Sequence, residues 1–265
     1  MNPPLMTSSL PACDESQEMA MCEKHGEFIC KIIAAPVFGL KAHRSRCPLC
    51  TEEARDMAAA DELHRKQGER AREVSGLLAD AFIPTRFKDR TLESYLADNA
   101  GQKRALAVCK KYVEKWPEQM AKGTSLVLTG GPGTGKTHLA CAVAGAVIHE
   151  HLSSAKFYTV IEAVRTIKDT YRKDSPISEQ KAINNFLNMK LLILDEVGVQ
   201  FGTEHEKILL FEILNGRYQN CLSTILISNL SATDLEAFLG QRVMDRYREC
   251  GAVIAFDWES QRGKQ

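Results

Sequence analysis

Four short apolar runs have strand character: SLVLTG (125–130), KFYTV (156–160), LLILDEV (191–197) and STILISNL (223–230). Each has the length of a buried strand, and stretches of helical character lie between them, beginning with the apolar THLACAVAGAVIHE directly after the first run. Strands alternating with helices predict a parallel sheet, because parallel neighbours need crossover connections. The reading for residues 81–265 is an α/β domain with a central parallel sheet flanked by helices. Pro84 opens the segment IPTRFKDRTLESYL at the head of this domain, and helical spacing returns over residues 101 to 116.

The preceding residues read differently. Residues 1–20 are rich in Pro and Ser, acidic, and expected to be flexible. Residues 21–51 hold a Cys/His cluster. Residues 52–80 are rich in Ala, Glu and Arg, which favour a helix, with too few apolar positions for a coiled-coil seam, so an exposed linker helix is expected.

Composition excludes some classes. Thirty-four basic residues balance thirty-four acidic ones, so nucleic-acid affinity must come from a local basic surface. No apolar run approaches the ~20 residues that cross a bilayer, and the first residues lack a secretory pattern. The expectation is a cytoplasmic protein with no membrane partner.

The first strand ends in Gly130-Gly131-Pro132-Gly133-Thr134-Gly135-Lys136-Thr137, which fits GxxxxGK[ST], and His138 follows. Glycines let the backbone curl around phosphates so that N–H groups and the helix N-terminus face the anion. Lys136 is expected to reach the β- and γ-phosphates of ATP, and Thr137 to ligate Mg²⁺. The third run ends in Asp195-Glu196, where a buried strand can carry carboxylates at its exposed end. Asp195 is read as a Mg²⁺-shell residue and Glu196 as the group that polarises water. Asn229, at the end of the fourth run, is placed to orient that water. Near the C-terminus LGQRVMDRYR sets Arg242, Arg246 and Arg248 on one short helix, suited to a neighbour's γ-phosphate, and spacing does not choose among them.

These motifs, in this order and followed by FDWESQR, make residues from about 80 to 262 resemble the DnaC-type helicase loaders of the AAA+ superfamily, related to the IstB transposition ATPases. The resemblance implies an AAA+ fold, ATP hydrolysis, Arg246 as a finger acting on the neighbouring subunit, Arg262 as a sensor that contacts nucleotide, and Asn229 as the first sensor. It also implies self-association through the ATPase domains, single-stranded DNA as a ligand and a hexameric replicative helicase as partner. The stretch Ile167 to Lys173 offers cations and a tyrosine to such a strand, or is an ordinary exposed helix end.

Nine cysteines in a chain without an export pattern suggest metal more than disulfides. Cys22-x-x-His25 and Cys47-x-x-Cys50 form two knuckles twenty-one residues apart, a set suited to tetrahedral Zn²⁺. Cys13, Cys30 and His43 lack a partner at such spacing. Cys109, Cys141, Cys221 and Cys250 are read as structural. With four protein ligands the zinc would be structural, allowing a small module to fold. This cluster departs from the helical N-terminus of the chromosomal loaders and resembles loaders of phage or prophage type. Lys41, His43, Arg44 and Arg46 leave open whether the module meets helicase or DNA. The leading expectation is an ATP-driven loader of the replicative helicase. The alternatives are a transposition helper ATPase acting on duplex DNA, or a zinc adaptor with structural ATP.

Overall fold

The computed structural model describes residues 15–33, 43–198 and 203–262. Cys13 and Lys41, named above, lie outside the described residues. The chain forms two units, residues 1–70 and 71–265.

In the first unit, strand β1 (Glu15–Cys22) pairs antiparallel with β2 (Gly26–Ile33), with Met19 opposite Ile29, and the two-residue β3 (His43–Arg44) adds to β2. Of the residues 1–20 expected to be flexible, 1–14 lie outside the described residues and 15–20 are strand, with the ladder to β2 supplying backbone partners that their polar side chains did not announce. Helix α1 (Pro48–Ala79), whose residues 71–79 belong to the second unit, opens with proline at its first turn, where no N–H is needed. It begins earlier than the expected 52–80 and takes in Cys50.

After α1 the second unit continues with a turn at Thr85–Phe87. Next come α2 (Ala100–Glu114), whose Asn99 and Gln102 form a reciprocal cap, and α3 (Trp116–Lys122). Then β4 (Ser125–Gly130), α4 (Lys136–His151), β5 (Ala155–Thr159), α5 (Val160–Lys168), α6 (Glu179–Leu187) and β6 (Leu191–Asp195) follow. The chain continues through α7 (Glu204–Gln219), β7 (Ser223–Ile227), α8 (Ala232–Leu239), α9 (Gln241–Glu249) and β8 (Gly251–Phe256). The sheet order is β5-β6-β7-β4-β8, all parallel. The four expected strands are present, and GAVIAF adds a fifth.

Successive strand residues face opposite sides, so each strand feeds two cores. Leu126, Leu128, Leu191 and Ile193 pack with α2 and α4, whereas Val127, Leu192 and Leu194 pack with α5, α6, α7, α8 and α9. Strands buried on both faces read as continuous apolar runs, which is why the sequence exposed them. Below the sheet, the fully buried Arg217 donates to the carbonyls of Phe186, Met189 and Ser223 and to the hydroxyl of Thr224. Among the described residues no helix is long and apolar enough to cross a membrane.

Candidate functional site

The glycine-rich turn leaves β4 at Gly130 and enters α4 at Lys136. Gly133 has φ +76°, and a Cβ there would fall 2.1 Å from the hydroxyl of Ser260; Gly135 has φ +97°, and its Cβ would meet the Tyr95 ring at 2.7 Å. Both left-handed geometry and space thus require glycine. Three donors hold the loop from outside: Trp258 Nε1 reaches Thr134 O at 2.9 Å, Tyr95 OH reaches the same carbonyl at 3.4 Å, and Gln261 N reaches Gly133 O at 2.8 Å.

Lys136 is buried, and its ammonium donates to Gly130 O at 2.6 Å and Gly131 O at 2.7 Å. Burial lowers its pKa, against the pull of Asp195. A buried cation takes the nearest carbonyls as its hydrogen-bond partners. Thr137 donates its hydroxyl to Asp195 Oδ2 at 2.9 Å. Burial raises the Asp195 pKa, opposed by the Thr137 hydroxyl and the Glu196 N–H, which donates to Oδ1 at 2.7 Å.

Glu196 is exposed at φ +62°, an unusual conformation for a residue with a side chain. The chain beyond it is pinned to β7: Val197 N donates to Ile227 O at 2.9 Å, and Ser228 Oγ donates to Val197 O. That arrangement sets Glu196 and Asn229 on one cleft of about 530 Å³, which Lys136, Thr137, Asp195 and Arg262 also line. Gly133, Thr134, Gly135 and His138 contribute to the same walls. His138 Nε2 lies 3.1 Å from Thr91 O and 3.3 Å from Ser94 Oγ, and burial lowers its pKa. Gly131 and Pro132 are exposed at the turn.

Arg86, Phe87 and Arg90 also line the cleft. They come from IPTRFKDRTLESYL, which carries no phosphate-loop signature; its pairing of cations with an aromatic was the one available signal. Arg246 is not among the cleft residues. Its guanidinium donates to Asn215 Oδ1 and lies 5.0 Å from the centre of the Tyr218 ring. Arg248 pairs with Glu236 and Asp245, and Arg242 is exposed. In the Ile167 to Lys173 stretch, Lys168 pairs with Glu206 at 2.9 Å and Tyr171 OH meets His205 Nε2 at 2.7 Å.

Within the first unit, one ligand atom each from Cys22, His25, Cys47 and Cys50 lies within 4.8 Å of the others. Cys22 Sγ is 3.5 Å from Cys50 Sγ and 3.8 Å from His25 Nδ1, and His25 Nδ1 is 3.7 Å from Cys47 Sγ and 3.3 Å from Cys50 Sγ. A tetrahedron with Zn–S bonds of about 2.3 Å has edges of about 3.8 Å, so the set fits zinc. The turn's own N–H groups at His25, then Lys24, lower the Cys22 pKa and favour its thiolate. His25 turns its other nitrogen to Glu53 Oε1 at 3.2 Å, and Lys24 holds that carboxylate at 2.6 Å. A carboxylate behind a metal-binding histidine fixes its tautomer and orientation. Cys30 is buried and donates to Ser45 O, apart from the cluster. His43, Arg44 and Arg46 are exposed, with Arg44 paired to Glu18 at 2.9 Å.

Residues 51–265 match the family model described as IstB-like ATP binding protein. The replicative helicase loader DnaC of Escherichia coli strain K12 is 33% identical over 175 residues, covering 66% of this chain and 69% of that protein. The replicative helicase loader DnaC of Buchnera aphidicola subsp. Baizongia pistaciae is 29% identical over 225 residues, covering 84% and 89%. Among solved structures, the crystal structure of the DnaC helicase loader aligns with a TM-score of 0.59 at 26% identity, over 65% of this chain and 99% of that one.

Proposed function

The chain belongs to the IstB-like ATP-binding family, and from that premise we propose that it is an ATP-driven loader of a hexameric replicative helicase onto single-stranded DNA. The carrying observation is the convergence of Lys136, Thr137, Asp195, Glu196, Asn229 and Arg262 on one cleft, in a chain whose similarity to DnaC loaders extends across that domain.

The roles follow from position. The loop N–H groups and Lys136 bind the phosphates. Thr137 and Asp195 hold Mg²⁺, which when bound neutralises charge on the β- and γ-phosphates. Glu196 accepts a proton from water, Asn229 orients that water, and Arg262 contacts nucleotide from the C-terminal segment. Arg246 acts on the cleft of a neighbouring subunit, so ATP orders a self-associated form on the strand. Hydrolysis then releases the loader. Cys22, His25, Cys47 and Cys50 hold a structural Zn²⁺, and the module they close meets the helicase.

The test is delivery of the host's replicative helicase onto circular single-stranded DNA, with and without ATP, by the wild-type chain and Lys136→Ala. Delivery that needs ATP and Lys136 supports the reading. ATP hydrolysis without helicase binding or delivery would reject it in favour of a transposition helper acting on duplex DNA.

A further inference from the structure

Strand β8 runs parallel to β4 with Phe256 opposite Gly130, so the chain leaving β8 passes alongside the phosphate loop as it leaves β4. A loop that turns its N–H groups inward toward an anion turns carbonyls outward, and those that are buried need donors. Thr134 is buried. Trp258 Nε1 donates to its carbonyl at 2.9 Å, and two turns of chain later Gln261 N donates to Gly133 O at 2.8 Å. Tyr95 OH reaches Thr134 O from the opposite part of the domain sequence at 3.4 Å.

The surroundings are shaped to admit this indole. Gly101 stands in the first turn of α2, where alanine would favour the helix, and a Cβ there would come within 3.0 Å of two Trp258 ring carbons. Phe256 packs on the indole from the strand side, with ring centres 4.7 Å apart. A Cβ at Gly133 would fall 3.2 Å from Arg262 Cγ, so the same close contact that seats this segment on the loop carries Arg262 to the cleft that it lines. Trp258 and Tyr95 are not among the residues lining that cleft, so whatever they do to nucleotide they do through the loop.

We propose that Trp258 is a positioning residue of the phosphate loop, its indole N–H clasping residues 256–262 onto the loop so that the loop's N–H groups and Arg262 face nucleotide together. The proposal rests on the ATP-binding reading above and adds the device that organises that site. Arg262 and the clasp lie on one short segment, so nucleotide held by Arg262 tightens the clasp, and the clasp tightens nucleotide by the same factor. An unclasped loop must be ordered at the moment of binding, so the loss falls on affinity. Asp195, Glu196 and Asn229 are carried by β6 and β7, apart from the clasp, so turnover of the bound complex is spared.

Steady-state ATP hydrolysis by the full chain tests this with Trp258→Phe, which keeps a ring beside Phe256 and deletes the donor. KM for ATP rises about three- to tenfold, while kcat stays within about threefold. The melting temperature of the ATP-free variant stays within about 4 °C of the wild type's. Tyr95→Phe, which loses the longer bond, gives a smaller rise in KM, and the two together exceed the product of the singles because Thr134 O has lost both side-chain donors. Fluorescence supplies a separate readout. The other tryptophan, Trp116, is fully buried and does not line the cleft, so ATP alters the intrinsic emission of the wild type and leaves that of Trp258→Phe unchanged. A wild-type KM in Trp258→Phe would overturn the proposal. So would KM, kcat and melting temperature all worsening together, which would make Trp258 a residue of the fold alone. A wild-type chain that binds no ATP would sink the nucleotide reading and the clasp with it, whereas ATP binding that ignores Trp258 would sink the clasp and leave the loader reading standing.

Discussion

The hydroxyl of Thr137 donates to Asp195 Oδ2 at 2.9 Å, joining two residues 58 positions apart. The bond ties the start of α4 to the end of β6. It sets a neutral hydroxyl against a carboxylate that burial disfavours, a local imbalance that a divalent cation would relieve.

Asp195→Asn exposes that imbalance as a pH effect. Burial raises the folded-state pKa of Asp195 above its unfolded value, so the folded chain holds the proton more tightly. Its contribution is fully present below the unfolded pKa and is lost as pH rises through the folded one. Asparagine does not titrate, so as pH rises above the ordinary carboxylate range the variant's melting temperature falls less than the wild type's. The rise in melting temperature that Mg²⁺ and ATP give the wild type is lost in the variant. Thermal melts with and without Mg²⁺ and ATP check both; an unaltered ligand effect removes Asp195 from the metal shell.

Lys136→Ala and Glu196→Gln separate binding from hydrolysis. The lysine is the cation of the phosphate loop, so its loss weakens ATP affinity. The Glu196 side chain stands exposed at the cleft. Glu196→Gln keeps ATP affinity within a few-fold and lowers hydrolysis by about 10²–10⁴, the usual span for a general base. Titration with a fluorescent ATP analogue, set beside phosphate release, reads the two effects. Wild-type turnover in Glu196→Gln would leave the water without an assigned base.

Metal removal acts on the first unit. The four ligand residues belong to residues 1–70, and the nucleotide cleft to residues 71–265. Elemental analysis is expected to find one zinc per chain. Chelation, or Cys47→Ala with Cys50→Ala, abolishes helicase binding while ATP affinity stays unchanged. A chain that purifies without metal and still binds helicase would rule out the structural zinc.

Arg217→Met tests a buried cation with no carboxylate beside it. Burial lowers the Arg217 pKa to about 10, and its donors satisfy three carbonyls and one hydroxyl between α6, α7 and β7. Methionine fills much of the volume but leaves those acceptors unpaired, at a cost of about 3 kcal/mol or more. Urea denaturation measures it; a change under about 0.5 kcal/mol would show that water replaces the guanidinium.

Arg217 also marks where sequence reading stopped. Apolar runs announced β4, β5, β6 and β7 because strands buried on both faces tolerate few polar residues, and the glycine and carboxylate motifs followed from what phosphate and metal require. Strand β8 goes unannounced although GAVIAF is itself a short apolar run; its residues are largely half-buried, and a Cβ on Gly251 would fall 1.7 Å from Ser125 O. The β1–β2 ladder hid in polar residues, since Gln17, Glu18 and Lys31 are held by backbone pairing. Arg86, Phe87 and Arg90 reach the cleft through a long-range fold-back that no local pattern encodes. Arg217 looked like a surface charge, and only the carbonyls gathered around it explain its burial.

Arg246 is the sharpest test of action between subunits. It does not line its own chain's cleft, and its guanidinium is held by Asn215 and the Tyr218 ring. Arg246→Ala therefore keeps ATP affinity and loses DNA-stimulated hydrolysis by at least about tenfold. Mixing supplies the decisive readout. Arg246→Ala subunits retain Glu196, and Glu196→Gln subunits retain Arg246, so a mixture assembles some complete sites from two inactive proteins. Phosphate release from the mixture above the sum of its parts is expected. An inactive mixture, or full DNA-stimulated turnover by Arg246→Ala alone, would pass the role to Arg242 or Arg248.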